Sequence, residues 1–171
     1  MSEKVDLVSL RARAMEFSHT GIIITDARLP DNPIIDCNPA FEVITGYSRK
    51  EVLGRNCRFL QGDDADQATI AAIRRAISHR QYITVVIKNY TKSGILFWNE
   101  LSISPVFDRS DQLTHFIGIQ NNVTVRETAR LELAAEHTEL SQMNNVLQQK
   151  VQQQKDIDAR ISELLKQSHS F

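Results

Sequence analysis

In the stretch Gly54-Arg55-Asn56-Cys57-Arg58-Phe59-Leu60-Gln61 a single thiol sits between an amide and a guanidinium, followed by an apolar pair and a second amide. Those residue types suit a site that holds a polar, phosphate-bearing aromatic ligand against a cysteine. A planar guanidinium fork matches phosphate, and a neutral amide supplies both a donor and an acceptor. The thiol itself has three readings: an inert buried side chain, a redox sensor, or a nucleophile. Free cysteine is commonly a small buried hydrophobe; alternatively, the neighbouring Arg58 could lower the Cys57 pKa and make it reactive in the dark. His19, His79 and His115 are scattered, form no pattern of a thiol enzyme and read as surface or strand-end residues. Cys37 has no flanking functional groups and reads as structural. Together the two cysteines make neither a disulfide framework nor a metal-ligand pattern.

The elements that must position this stretch follow from periodicity and punctuation. Gly21–Asp26 and Pro33–Cys37 read as short strands joined by the turn Leu29-Pro30-Asp31-Asn32. Asn38 is placed as the N-cap of a short helix stopped by Gly46, and Ser48 as the cap of another turn ending at Gly54. From Asp66 to Ser78, Ile70, Ile73, Ala76 and Ile77 recur at helical spacing. Three longer strands follow: Tyr82–Tyr90, Ile95–Val106 and Gln112–Val123.

The turn Lys92-Ser93-Gly94 predicts a three-residue hairpin loop with Gly94 left-handed. Odd residues of both strands then share one face: Val85, Ile87, Asn89, Phe97, Asn99, Leu101 and Ile103. A buried amide left unpaired costs about 1–3 kcal/mol. One buried Asn ordinarily satisfies loop backbone. Two aimed into a common cavity favour a polar ligand. In the last strand Phe116, Gly118 and Gln120 are expected to face the same way, with Gln120 turning its amide into the cavity, while Ile117 and Ile119 project outward and seek a cover.

Composition bounds the rest. The 171 residues, 42% apolar, support a real core. A formal charge of -1, from 20 basic and 21 acidic residues, argues against a dedicated nucleic-acid binder. No segment has the apolar length of a membrane span, and the charged N-terminus does not read as a signal peptide. The expected location is the cytoplasm, with no membrane partner. All six glycines and all four prolines precede Val125. After it comes a run of helix formers, so the expectation is an α+β domain followed by one long helix.

The motifs GRNCRFLQG, IRRAI, NYTKSG, FWNEL and FIGIQ, in that order, together resemble the LOV (light-oxygen-voltage) blue-light photoreceptor domain, a flavin-binding branch of the PAS superfamily. The resemblance spans roughly Phe17 to Thr124. It implies a PAS-like five-stranded antiparallel sheet with helices on one face, bounded as an N-terminal helical cap (1–17), the flavin-binding domain (18–124) and a C-terminal coiled-coil helix (125–171). The cofactor implied is flavin mononucleotide, FMN. Carried over by position, Cys57 matches the photoactive cysteine that bonds flavin carbon C4a after blue light. Asn89 and Asn99 match the amides on the pyrimidine edge, and Gln120 the glutamine near N5 and O4. Asn56 and Gln61 match ribityl contacts, and Arg58 and Arg74 the pair on the terminal phosphate. Leu101 joins the cofactor-binding set. Without the resemblance, two solvated surface arginines would be the ordinary reading.

The implied cycle is photochemical rather than enzymatic. Cys57 sulfur attacks C4a, N5 gains a proton, and Gln120 reorganises its amide because N5 changes from acceptor to donor. One departure from the family is Asn122-Val123-Thr124, where many members read Asp-Ile-Thr. Glu100 falls on the outward face and is not assigned to the flavin.

Beyond Thr124, Leu133, Leu140, Leu147, Gln154 and Ile161 fall on one heptad position, and Glu136, Met143, Lys150, Ile157 and Leu164 on the other. That pattern predicts a coiled coil and a parallel homodimer, about 60 Å long at the ~1.5 Å rise of a helix. Val5–Phe17 also reads as a partly apolar helix. No output domain is recognised after the coiled coil, so the output belongs to a separate signalling partner or to an effector domain of a longer protein. A PAS module sensing redox state or a small ligand would show no light-dependent absorption change. A pure dimerisation scaffold would need no cavity amides.

Overall fold

The computed structural model describes residues 6–168, and side chains through Glu163. Val5, the chain ends of the outer two expected segments and the side chain of Leu164 lie outside the described residues. The chain divides into two compact units, one through Thr124 and one from Val125.

Apolar β-branched runs in the first unit form five strands: β1 (Gly21–Asp26), β2 (Ile34–Cys37), β3 (Ile83–Tyr90), β4 (Leu96–Phe107) and β5 (Leu113–Asn122). They make one sheet in the order β2-β1-β5-β4-β3, antiparallel at every pairing. The hairpin loop closes as the turn chemistry predicts. Thr91 N donates to Ile95 O at 2.9 Å, and Gly94 has φ 81°, a conformation that costs glycine no steric penalty. Register then pairs Ile87 with Asn99 and Asn89 with Phe97. The odd residues Ile87, Asn89, Phe97 and Asn99 are buried. On β5 the buried residues are Phe116, Gly118 and Gln120, while Ile119 is exposed. Ile119 and Ile117 stand opposite Ile22 and Ile24 of β1 on the outer face.

Short helices cover the inner face, each with a legible stop or start. Asn38 caps α2 (Pro39–Thr45), and Gly46 ends it at φ 74°. Ser48 and Glu51 form a capping box on α3 (Arg49–Val52). Asp66 caps α4 (Gln67–Ser78), accepting from Ala68 N and Thr69 N at 3.2 and 3.0 Å. Asn38 reaches further than a cap. Its Oδ1 accepts from Ile22 N at 2.7 Å and Phe41 N at 3.1 Å, and its Nδ2 donates to Met15 O and Thr20 O. One buried amide thus ties β1, α2 and the end of α1 (Leu7–Glu16) together. Helix α1 itself buries no residue, and Leu7, Val8 and Leu10 are exposed.

The helix α5 spans Thr124–Ser168, and from Val125 onward it makes up the described part of the second unit. Leu133, Leu140, Met143, Leu147, Ile157 and Ile161 are exposed along it. Where the family pattern has a carboxylate, Asn122 Oδ1 accepts from Thr124 N at 3.1 Å and from Thr124 Oγ1 at 2.6 Å. Thr124 Oγ1 in turn accepts from Trp98 N at 3.0 Å, so the neutral amide satisfies the start of α5 through hydrogen bonds. Among the described residues no helix is long and apolar enough to cross a membrane.

Candidate functional site

Between the inner face of the sheet and the helices lies a cavity of about 270 Å³. Its wall combines four segments that are remote in sequence: β1 and the turn after it (Ile23, Thr25, Asn32), the 57–60 turn, α4, and strands β3 to β5. Asn56, Cys57, Arg58, Gln61, Arg74, Asn89, Asn99 and Leu101 all line it. Ile87, Asn89, Asn99 and Phe116 at its floor are buried. Arg58, Arg74 and Ser78 are exposed and mark the mouth.

Cys57 opens a 3-10 turn, Cys57–Leu60, whose register is set by packing. Leu60 is buried in the core beside Phe41 and Val52, and Phe59 packs edge-on to Tyr47 with centroids 4.9 Å apart. Arg55 lies 4.1 Å above the Phe59 ring. Asn56 caps the turn: its Oδ1 accepts from Arg58 N at 3.0 Å, and its Nδ2 donates to Asp31 O at 2.5 Å. The apolar anchor faces the core and leaves Cys57 on the cavity wall.

Of the readings open for that thiol, a pKa lowered by Arg58 is not the one found. Burial pushes the Cys57 pKa up to about 12, because a thiolate in this setting would lose its hydration. Arg58 does not offset this, since its Nη1 donates to both carboxylate oxygens of Asp31, at 2.6 and 2.8 Å. Cys57 therefore stands as a neutral S–H at ordinary pH. Cys37, buried on β2, is raised to about 11, chiefly by burial, and packs in the core as read from sequence.

At the floor, Asn99 Nδ2 donates to Asn89 Oδ1 at 2.8 Å, and Asn89 Nδ2 to Lys88 O at 2.8 Å. Among the described residues three buried side-chain atoms have no hydrogen-bond partner: Asn99 Oδ1 and both amide atoms of Gln120. Gln120 faces inward as expected but is not part of the cavity wall. Its amide lies beside Gly118, which is on the wall: a Cβ there would stand 3.4 Å from Gln120 Nε2. A ring edge with mixed carbonyl and N–H groups would satisfy such orphaned amides, which otherwise carry a desolvation cost. With Arg58 and Arg74 at the mouth, the donor set fits a flavin bearing a phosphate.

A family model described as a PAS domain matches residues 19–125. The LOV domain of the Erythrobacter litoralis EL346 blue-light activated histidine kinase superposes with a TM-score of 0.59 at 39% identity, over 61% of this chain and 96% of that one. The chain belongs to the LOV branch of the PAS superfamily. An RNA-binding Light-Oxygen-Voltage receptor is also similar, with a TM-score of 0.70 at 39% identity, over 80% of this LOV chain and 40% of that one. A blue-light photoreceptor of Listeria monocytogenes is 46% identical over 132 residues, 77% of this chain. A blue-light-activated histidine kinase of Brucella ovis is 48% identical over 128 residues, 75% of this chain. The LOV chain spans about half the length of the first and about a quarter of the second, 52% and 26%.

Of the polar residues on the cavity wall of this LOV domain, sequence reasoning passed over Thr25, Asn32 and Ser78, and it passed over Asp31, the partner of Arg58. Thr25 was within reach, because inward alternation along β1 puts it two residues beyond Ile23. Asp31 was not, because its partner Arg58 is 27 residues away. His19 and His79 are exposed, as read from sequence; His115 is partly buried on β5, with its Nε2 3.4 Å from Arg28 Nη2. Among the described residues no group of three or more His, Cys, Asp and Glu is placed to hold a metal.

Proposed function

We propose that this chain is a blue-light sensor that binds FMN between the sheet and α4 and responds through a reversible bond between Cys57 sulfur and flavin carbon C4a. The observation that carries this reading is the orphaned Asn99 carbonyl at the floor of a cavity whose wall holds a neutral thiol, with the two orphaned amide atoms of Gln120 buried beside Gly118 of that wall. Blue-light photoreceptors among its relatives support it.

Bound flavin supplies the visible absorption and, once excited, an electrophilic ring carbon. This chain supplies the rest. Asn89 and Asn99 would hold the pyrimidine edge of the bound flavin, and Leu101 would join them in binding it. Asn56 and Gln61 hold the ribityl chain, and Arg58 and Arg74 the phosphate. Cys57 delivers both parts of its S–H bond, the sulfur to C4a and the hydrogen to N5, so no outside oxidant or reductant is needed. Gln120 then faces a donor at N5 where it had faced an acceptor, and its amide turns over. Thermal reversal returns the proton and restores the thiol.

In this reading the domain runs over 18–124, preceded by a helical cap at 1–17 and followed by a coiled coil at 125–171. The exposed heptad residues Leu133, Leu140, Leu147 and Ile161 support a parallel homodimer. Its output passes to a signalling partner or an effector domain. The cofactor assignment is tested by purifying the protein and releasing its chromophore. A yellow protein that yields FMN by mass agrees; a colourless protein that takes up no added flavin overturns the proposal.

A further inference from the structure

Asp31 has no part in the cycle above, yet the structure spends much on it. Asp31 and Asn32 both occupy the left-handed region, at φ 69° and 46°, which Asp and Asn tolerate better than other non-glycine residues. Three hydrogen bonds tie this turn to the segment that carries Cys57. The Asp31 carbonyl accepts from Asn56 Nδ2, and the Asp31 carboxylate accepts twice from Arg58 Nη1. Both side chains of the ion pair are more than half exposed, at 57% and 59%.

The placement matters because of what surrounds it. Asn32, Arg58 and Arg74 line the mouth of the cavity together. Among the described residues Arg74 has no ion pair, whereas Arg58 carries a carboxylate. An anion arriving at the mouth meets one free guanidinium and one that is already compensated. A phosphate monoester near pH 7 carries close to two negative charges, so it must either draw Arg58 away from Asp31 or share it at a reduced potential. An uncharged ribityl chain ending in a hydroxyl meets no such competition.

Resting on the flavin reading, we propose that Asp31 is a specificity-determining residue: it competes with the terminal phosphate for Arg58 and so limits the preference for FMN over riboflavin. The Asn56 bond holds the turn in place while Arg58 changes partner, so the exchange needs only a side-chain rotation at an exposed position.

Asp31→Asn removes the charge, keeps the size and suits the left-handed backbone. FMN and riboflavin are titrated into the ligand-free full chain in darkness, each followed by quenching of flavin fluorescence. Removal of one exposed carboxylate is expected to tighten FMN binding by about three- to tenfold, the scale of a screened surface charge pair, with riboflavin unchanged. The gain shrinks as salt rises. Arg58→Gln must then cost more FMN preference in the Asp31→Asn background than in the wild type.

FMN affinity that falls or stays level while riboflavin is unchanged overturns the competition, as does an equal cost of Arg58→Gln in both backgrounds. Should Asp31→Asn lose both flavins together, Asp31→Gly, unstrained at positive φ, decides by the same FMN-to-riboflavin ratio. A wild type that takes up neither flavin sinks the flavin reading itself, which is a different result from an unchanged ratio.

Discussion

Asn99 Nδ2 donates to Asn89 Oδ1 at 2.8 Å, so the two amides at the cavity floor are paired with each other. Each has its donor side engaged, and only the Asn99 carbonyl is left over. On the neighbouring strand Gln120 stands opposite Leu101 with both amide atoms unpaired. This asymmetry separates two tasks. The asparagines are held in place by the protein, and Gln120 is free to turn.

The same asymmetry predicts the outcome of Gln120→Leu. Replacing an unpaired buried amide with an apolar group of similar volume removes a desolvation cost and breaks no bond. Urea unfolding of flavin-stripped protein should show Gln120→Leu equal to wild type or more stable by about 1 kcal/mol. A loss larger than that would mean Gln120 has a structural partner.

Asn38 should behave in the opposite way. It accepts from two backbone N–H groups and donates to two carbonyls, all near or within the core. Asn38→Ala strands those groups and is expected to cost about 3 kcal/mol or more, against roughly 1 for an ordinary cap. Asn38→Asp keeps the acceptors and should fall between. Both are read from the denaturant midpoint; an Asn38→Ala midpoint near wild type would show the amide to be replaceable.

How far the sequence reached is clearest from such residues. The caps at Asn38 and Ser48, the stop at Gly46 and the turn at Gly94 act through neighbours a few positions away, so local chemistry located them, whereas the bonds of Asn38 to Met15, Thr20 and Ile22 reach across the fold and were not legible. Alternation by two placed Asn89, Asn99 and Gln120 on the inner face because sheet register preserves it. The sign of the Cys57 shift was lost because Arg58 adjoins it in sequence but is turned to Asp31, leaving desolvation to dominate. The approach of the Gln120 amide to Gly118 depends on side-chain packing, which alternation does not encode.

Acid should weaken the fold partly through Glu51. Lys92, followed by Ser48, holds its pKa at about 2, below the ordinary ~4.3 of glutamate. A depressed carboxylate adds stability above its unfolded pKa and loses it as pH falls through its folded value. The melting-temperature advantage of wild type over Glu51→Gln should therefore be constant from pH 7 to about 5 and vanish between about 4 and 2. An advantage independent of pH would show that the Lys92 pair contributes nothing.

The exposed stripe on α5 makes an oligomeric prediction. Leu147, 59% exposed in the single chain, sits at the centre of the heptad series. Wild type should sediment as a dimer and Leu147→Lys as a monomer, with the absorption spectrum of the first unit unchanged. A wild type monomeric at all concentrations, in darkness and in light, contradicts the coiled coil.

The central claim is that the neutral Cys57 thiol bonds the flavin in light. The most direct test is the absorption spectrum of wild type and Cys57→Ala before and after blue light. Wild type should lose its blue absorption band on illumination and regain it in darkness, and Cys57→Ala should stay yellow and unbleached. Reversible bleaching that persists in Cys57→Ala, or a flavin-loaded wild type that does not bleach, would contradict the account.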